Sequence, residues 1–363
     1  MAIGNASDSQ AGIDLLLKWE THPSRTLYSF HDLEAKRPRY IFHPKISPIP
    51  EGASGWFIGE QNGFGYPMYM AGVRVGDERI KEFGKEVMLA GGRRQTRVGG
   101  FPMEEDVHHS AAFFFEAVAR LVLLGPKTQA GDLMPFCKNL RYGGQWFAGP
   151  GSWQDGWLIE RMNHRFFLNS AVLYLADAAL RSMPDNEQTQ WIAGPLPDWC
   201  RQIADAWLLD GMRLQRADGA ITEGIGHDTG YHSLAITFMT GTLMTADLRP
   251  ELRESLTKTL KRAAAWLLTR IRSNGSIDYS GNTRMMNANF VPATERFGNG
   301  SMVGIKYYET AFALQGAGLQ LNNDDCLGAV ERIMKHYEQP KEPAASLSLD
   351  SHSAASRGAA RVL

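Results

Sequence analysis

Between Asp218 and Phe238 the chain reads DGAITEGIGHDTGYHSLAITF, which gathers Glu223, His227, Asp228, Tyr231 and His232 among the glycines at 219, 224, 226 and 230. Carboxylate, imidazole and phenol are the side chains of general acid–base chemistry. The glycines permit tight and positive-φ backbone, and YHSLAITFMTGTLM after them has the apolar spacing of a buried helix. The polar groups are therefore expected on a loop at the mouth of a helix. A plainer reading stands beside this one: Asp and Thr at such a position often only cap the next helix. His227 and Tyr231 are spaced i, i+4 and share a face if that helix starts early.

Other junctions carry similar groups. GSWQDGWLIERMNHRFF holds Trp153, Trp157, Glu160, Arg161, Asn163, His164 and Arg165, RSNGSIDYSGNTRMMNANF holds Asp278, Tyr279, Asn282, Arg284 and Asn287, and ATERFGNGSMVGIKYYE holds Glu295, Arg296 and Lys306. An Asn amide and a His can together hydrogen-bond one carboxylate, against the plainer reading of a polar pair satisfying a neighbour. The planar fork of Arg284 suits a carboxylate bidentately, against a surface cation. Trp153, beside GPGS, reads as a platform for a sugar face, against core packing. His108-His109 after Glu104, Glu105 and Asp106 raises a metal site. Adjacent helix positions point about 100° apart, so the pair cannot chelate from one face. A single histidine reaching the cavity is the expectation, with no metal.

Composition removes several classes. A net charge of −1 and a pI near 6.8 give no field to gather nucleic acid or an anionic membrane. No apolar run reaches the roughly 18 residues that span a bilayer. Cys137, Cys200 and Cys326 have neither metal nor redox spacing and read as small buried apolar residues. Phosphate-loop, Rossmann and nucleophile-elbow patterns are absent, so no cofactor is expected. No export signal is visible at the N-terminus, which points to the cytoplasm, or to the periplasm or exterior if a leader has been removed. Oligomeric state stays open.

The elements that must hold these groups are helical. Periodicity marks helices at 11–20, 103–125, 155–183, 196–215, 231–246, 249–271, 304–321 and 324–338, while 52–100 is rich in glycine and aromatics and reads as irregular. Strand-like alternation is nearly absent after residue 100. The expected fold is all-α: an incomplete (α/α) toroid of antiparallel helix pairs with an irregular Gly- and aromatic-rich N-terminal segment. Residues 1–50 form an arm with an opening helix, 51–340 the toroid, and 341–363 a disordered tail. A simple bundle is the alternative.

Asn163-His164-Arg165-Phe166, followed some 70 residues later by Tyr231-His232-Ser233-Leu234, resembles the α/α-toroid polysaccharide lyases that cut uronic-acid polymers, the alginate, glucuronan and chondroitin lyases among them. Arg284 beyond the tyrosine is similar to the chondroitin branch. Gly224 stands where the alginate branch has an arginine. The resemblance implies β-elimination on an anionic polysaccharide or oligosaccharide. Tyr231 is then the base and acid, with His227 as the alternative base. Asn163, His164 and Arg284 neutralise the C5 carboxylate, and Trp153, Glu223, Tyr279 and Arg165 bind substrate. Rival readings are a toroid glycoside hydrolase using Glu223 with Asp228, or Asp155 with Asp278, a sugar epimerase using His164 and His227, and a carbohydrate-binding toroid without activity.

Overall fold

The computed structural model describes residues 6–25, 63, 65–101, 107–125, 130–149, 163–184, 189–223, 226–282 and 301–337. Its helices are α1 Ala6–Glu20, α2 Gly65–Val75, α3 Glu78–Gly92, α4 Val107–Leu124, α5 Ala130–Ala148, α6 His164–Arg181, α7 Asp198–Arg213, α8 Thr229–Thr245, α9 Pro250–Leu268, α10 Ser301–Leu321 and α11 Asp324–His336. No strand forms among the described residues, only isolated backbone pairs such as Gln215 with Ile221.

Two kinds of helix alternate along the chain. α6 and α8 are buried almost all round, the signature of a helix enclosed by others. α9 buries one stripe, Leu252, Leu256, Leu260, Ala263, Ala264 and Leu267, and α11 another, Cys326, Ala329, Val330, Ile333 and Met334. The buried helices α4, α6, α8 and α10 pack side by side in that order, and each packs on the helix that follows it, α5, α7, α9 and α11. Since each outer helix returns the chain, the inner helices start at one common end. The result is an open α/α toroid, extended by the α2/α3 hairpin.

The return from outer to inner helix uses one turn three times. After α3, α7 and α9 the backbone closes as Thr96 N to Gly100 O, Arg216 N to Ala220 O and Arg272 N to Ser276 O, at 2.8, 3.0 and 2.9 Å. Each turn holds a positive-φ glycine, Gly99, Gly219 or Gly275. A Cβ there would lie 2.1 Å from Tyr142 O, 2.4 Å from Arg262 O and 2.1 Å from Arg332 O respectively. Only glycine fits both the conformation and this contact with the next outer helix. Gln95 and Gln215 brace the first two turns alike, donating to Gly99 O and Gly219 O at 2.8 and 3.0 Å.

At the opposite end α1 lies across the inner helices. Trp19 donates to Phe312 O at 2.8 Å and stacks on the Phe312 ring at 4.5 Å. A Cβ on Gly12 would lie 1.9 Å from Met244 O, and one on Gly316 would lie 2.4 Å from the Trp19 ring. Glu20 pairs with Arg120 of α4 and with Arg25, and Arg120 also pairs with Glu116. Two buried carboxylates thus meet two cations, which is the condition for burying charge at all.

The expected irregular segment at 52–100 is overturned in part, because 65–75 and 78–92 are helices; residues 52–62 lie outside the described set. Its glycines at 65 and 84 are contact points between helices, not turns. A Cβ on Gly65 would sit 2.2 Å from Gly84 O, and one on Gly84 would sit 2.4 Å from Gly65 O. Helix α5, not marked by periodicity, carries Pro135 inside it, and a Cβ on its Gly143 would lie 2.3 Å from the Phe115 ring. The expected helix at 155–183 is described only from His164. The tail 341–363 lies outside the described residues.

Arg120→Met leaves Glu116 and Glu20 short of a buried cation. It is expected to lower unfolding free energy by about 3–5 kcal/mol, read as a fall in urea midpoint at constant m-value. Lys258→Ala, which breaks an exposed pair with Glu254, should cost less than about 1 kcal/mol.

Candidate functional site

The site is built where α4, α6 and α8 begin. α8 starts at Thr229 because Asp228, in extended conformation, caps it by accepting from Tyr231 N–H at 3.0 Å. Asn282 fixes that corner from a distant turn: it accepts from Thr229 N at 3.2 Å and Thr229 Oγ1 at 2.9 Å, and donates to Asp228 Oδ2 at 3.4 Å. The plainer reading of Asp228 as a cap is thus what its geometry shows. His227 precedes the helix and pairs along the backbone with Asn282, so it shares no helical face with Tyr231.

Tyr231 is half-buried at the mouth. Its ring stacks on His164, the first residue of α6, with centroids 4.2 Å apart and planes 13° apart. His164 is buried, and its Nδ1 lies 2.8 Å from Glu223 Oε2, itself buried. A carboxylate can only accept there when ionised, and Nδ1 is then the nitrogen that donates. The other ring nitrogen, Nε2, is buried without a hydrogen-bond partner among the described residues. Asn163 lies beside it: its backbone N–H donates to Thr222 O at 3.3 Å, its Nδ2 donates to Gly211 O at 3.3 Å, and its Oδ1 is buried without a partner among the described residues.

The two adjacent histidines of α4 divide as their angular separation requires. His109 reaches the site, its ring edge-on to His164 at 6.2 Å. His108 stacks on Phe147 at 3.9 Å and meets Trp207 at 5.8 Å. Burial first, then the nearby Arg165 cation, pull the His108 pKa down to about 3. Among the described residues no cluster of His, Cys, Asp and Glu could hold a metal ion, and no helix is long and apolar enough to cross a membrane.

His232, next to the site tyrosine, faces the other way. Its Nδ1 accepts from Ile221 N–H at 3.0 Å and its Nε2 donates to Ala263 O at 2.9 Å, so it ties the 221–223 segment to α9. Burial, opposed only in part by the bond to Ala263, pulls its pKa down to about 4. His227 stands edge-on to Trp266 of α9 at 5.0 Å. Burial and then the Arg270 charge lower its pKa, so it is neutral near pH 7. The Tyr279 hydroxyl is buried without a partner among the described residues, and burial, Tyr337, Glu309 and Asp228 push its pKa well up. Asp278 accepts from Ser280 N at 2.9 Å and lies near Arg270 and Arg272, which together hold its pKa low. It shapes its own turn.

The sequence candidates Asn163, His164, Glu223 and Tyr231 are therefore brought together, Arg165 stands near His108, and His227, just before α8, packs against Trp266 of α9. Arg284, Trp153 and Asp155 lie outside the described residues. Trp266, which supports both His227 and His232, had no signal in the sequence beyond a place on an amphipathic helix.

These features define an α/α-toroid protein with a Tyr–His–Glu cluster at the mouth where its inner helices begin. No family model matches the chain, and no curated protein matches it. Among solved structures it is similar to unsaturated glucuronyl hydrolase from Bacillus sp. GL1, described as responsible for the degradation of glycosaminoglycan. Identity is 15%, covering 82% of this chain and 84% of that one, with a TM-score of 0.42. A UGL variant structure with dGlcA-Glc-Rha-Glc gives 16% identity, 84% of both chains and a TM-score of 0.42.

His108 and His232 are held neutral by burial, with pKa values near 3 and 4, against about 6.5 in the unfolded chain. The unfolded state therefore takes up protons from about pH 6.5 downward that the folded state refuses until near pH 4. Stability should be flat above pH 7 and fall between about pH 6.5 and 4, by on the order of 2 kcal/mol per histidine at pH 5. Urea unfolding at pH 7.5, 6 and 5 checks this, and His232→Gln should show the shallower pH dependence.

Proposed function

We propose that the protein cleaves a uronic-acid-containing polysaccharide or oligosaccharide by β-elimination. The observation that carries the reading is the stack of Tyr231 on His164 at 4.2 Å, with Asn163 beside it, at the common starting end of the inner helices. Unsatisfied N–H groups and the helix dipoles make such an end favourable to anions, each helix by about 0.3–1 kcal/mol. A uronate carboxylate supplies the anion.

In this reaction Tyr231, as phenolate, takes the C5 proton of the uronate. Its C5–H electron pair forms the C4=C5 double bond, the C4–O glycosidic bond breaks, and the phenol returns the proton to the leaving oxygen. Negative charge builds on the carboxylate during proton removal, and donors aimed there lower the barrier most. Asn163, through the second hydrogen of its Nδ2, and Arg284 fill that role; His164, whose Nδ1 faces Glu223, donates from Nε2 only as imidazolium. Trp153, Tyr279 and Arg165 are assigned to sugar binding. Asp228 is a poor hydrolytic carboxylate here, since its oxygens accept from Tyr231 N–H and from Asn282.

The test is near-ultraviolet absorbance during incubation with alginate, glucuronan, hyaluronan and chondroitin, wild type beside Tyr231→Phe. Absorbance from the new C4=C5 bond should rise with wild type, and the rate should drop by at least about 10²-fold in the variant. New reducing ends without absorbance would replace elimination by hydrolysis.

A further inference from the structure

The sequence resemblance makes the Glu223 carboxylate a substrate-binding group, but its position argues for another role. It lies 2.8 Å from His164 Nδ1, with both side chains buried. The segment that carries it is anchored from three sides. Glu223 pairs with Gly226 through N to O bonds of 3.0 and 3.2 Å, Thr222 O accepts from Asn163 N at 3.3 Å, and Ile221 N donates to His232 Nδ1 at 3.0 Å. The backbone that carries the carboxylate is thus fixed against the start of α6, and the carboxylate itself bonds to His164.

We propose that Glu223 is a positioning residue that acts through His164, fixing the Nδ1–H tautomer and the ring plane so that Nε2 is the nitrogen offered to a ligand. The neighbours that face the ring are Glu223 at Nδ1, Tyr231 on its face and His109 at its edge. Of these only Glu223 engages a ring nitrogen. A carboxylate so placed dictates which nitrogen keeps its hydrogen, and through that which one can accept. What Nε2 does to substrate rests on the elimination reading; the tautomer does not.

The experiment is therefore made without substrate. Long-range ¹H–¹⁵N NMR of uniformly ¹⁵N-labelled full-length protein reports the tautomer of each imidazole, and His164→Asn assigns the His164 signals by their loss. In the wild type His164 should show a protonated Nδ1 and an unprotonated Nε2 in its neutral form. Glu223→Gln, whose amide oxygen still accepts, should keep that tautomer. Glu223→Ala should give a mixture of tautomers. A protonated Nε2 in the wild type, or an unmixed wild-type tautomer in Glu223→Ala, would overturn the proposal. If Glu223→Ala fails to fold, Glu223→Met with unchanged His232 signals takes its place. Failure of the elimination assay with the expected tautomer would count against the reaction and leave the positioning role standing.

Discussion

The constraint on which this structure depends is that each inner helix is followed by an outer helix that carries the chain back. With short returns, α4, α6, α8 and α10 all start at one end and lie against each other. The polar groups at their first residues then meet whether or not they are near in sequence. His109, His164 and Tyr231 come from three helices and form one ladder of rings. The same arrangement concentrates helix N-termini at that mouth, an electrostatic bias toward anions that no single residue supplies.

The returning turn is as much a part of the device as the helices. Gly99, Gly219 and Gly275 each take positive φ against a carbonyl of the next outer helix. The residue four positions past Gly219 is Glu223, and the residue four past Gly275 is Tyr279. The two occupy equivalent places on one repeated backbone path, and Glu223 is the one that meets His164. At the other end the inner helices are capped by α1, where Arg120 balances buried carboxylates and packs over Trp19 at 5.1 Å. Gly241 of α8 leaves room for that guanidinium, since a Cβ there would lie 2.8 Å from Nη2. One end is thus closed by a neutralised charge cluster and the other carries the Tyr–His–Glu cluster.

Neighbouring residues divide between supporting the packing and facing the mouth. His232 and Tyr231 adjoin, yet one braces α9 and the other faces the mouth. His108 and His109 divide in the same way. About 100° of rotation per residue forces the split, and burial then decides the chemistry: the supporting histidines are held neutral by desolvation.

What the sequence determined by itself was local. Apolar spacing placed α4, α7, α8, α9, α10 and α11 within a few residues, and caps such as Asp228 and Asn323, with Pro250 in the first turn of α9, set helix starts through their own hydrogen bonds and fixed φ. The polar cluster around Asp218–Phe238 was legible for the same reason, its groups being close in the chain. Tertiary structure alone decided the rest. Gly65 and Gly84 lie in a stretch that reads as irregular, and only a facing helix makes them contact points. Which of two adjacent histidines enters the mouth depends on how a helix is rotated against its neighbours. The pairing of His164 with Glu223, 59 residues apart, depends on how α6 and the returning turn are packed, and packing is a property of surfaces that only the folded chain brings together.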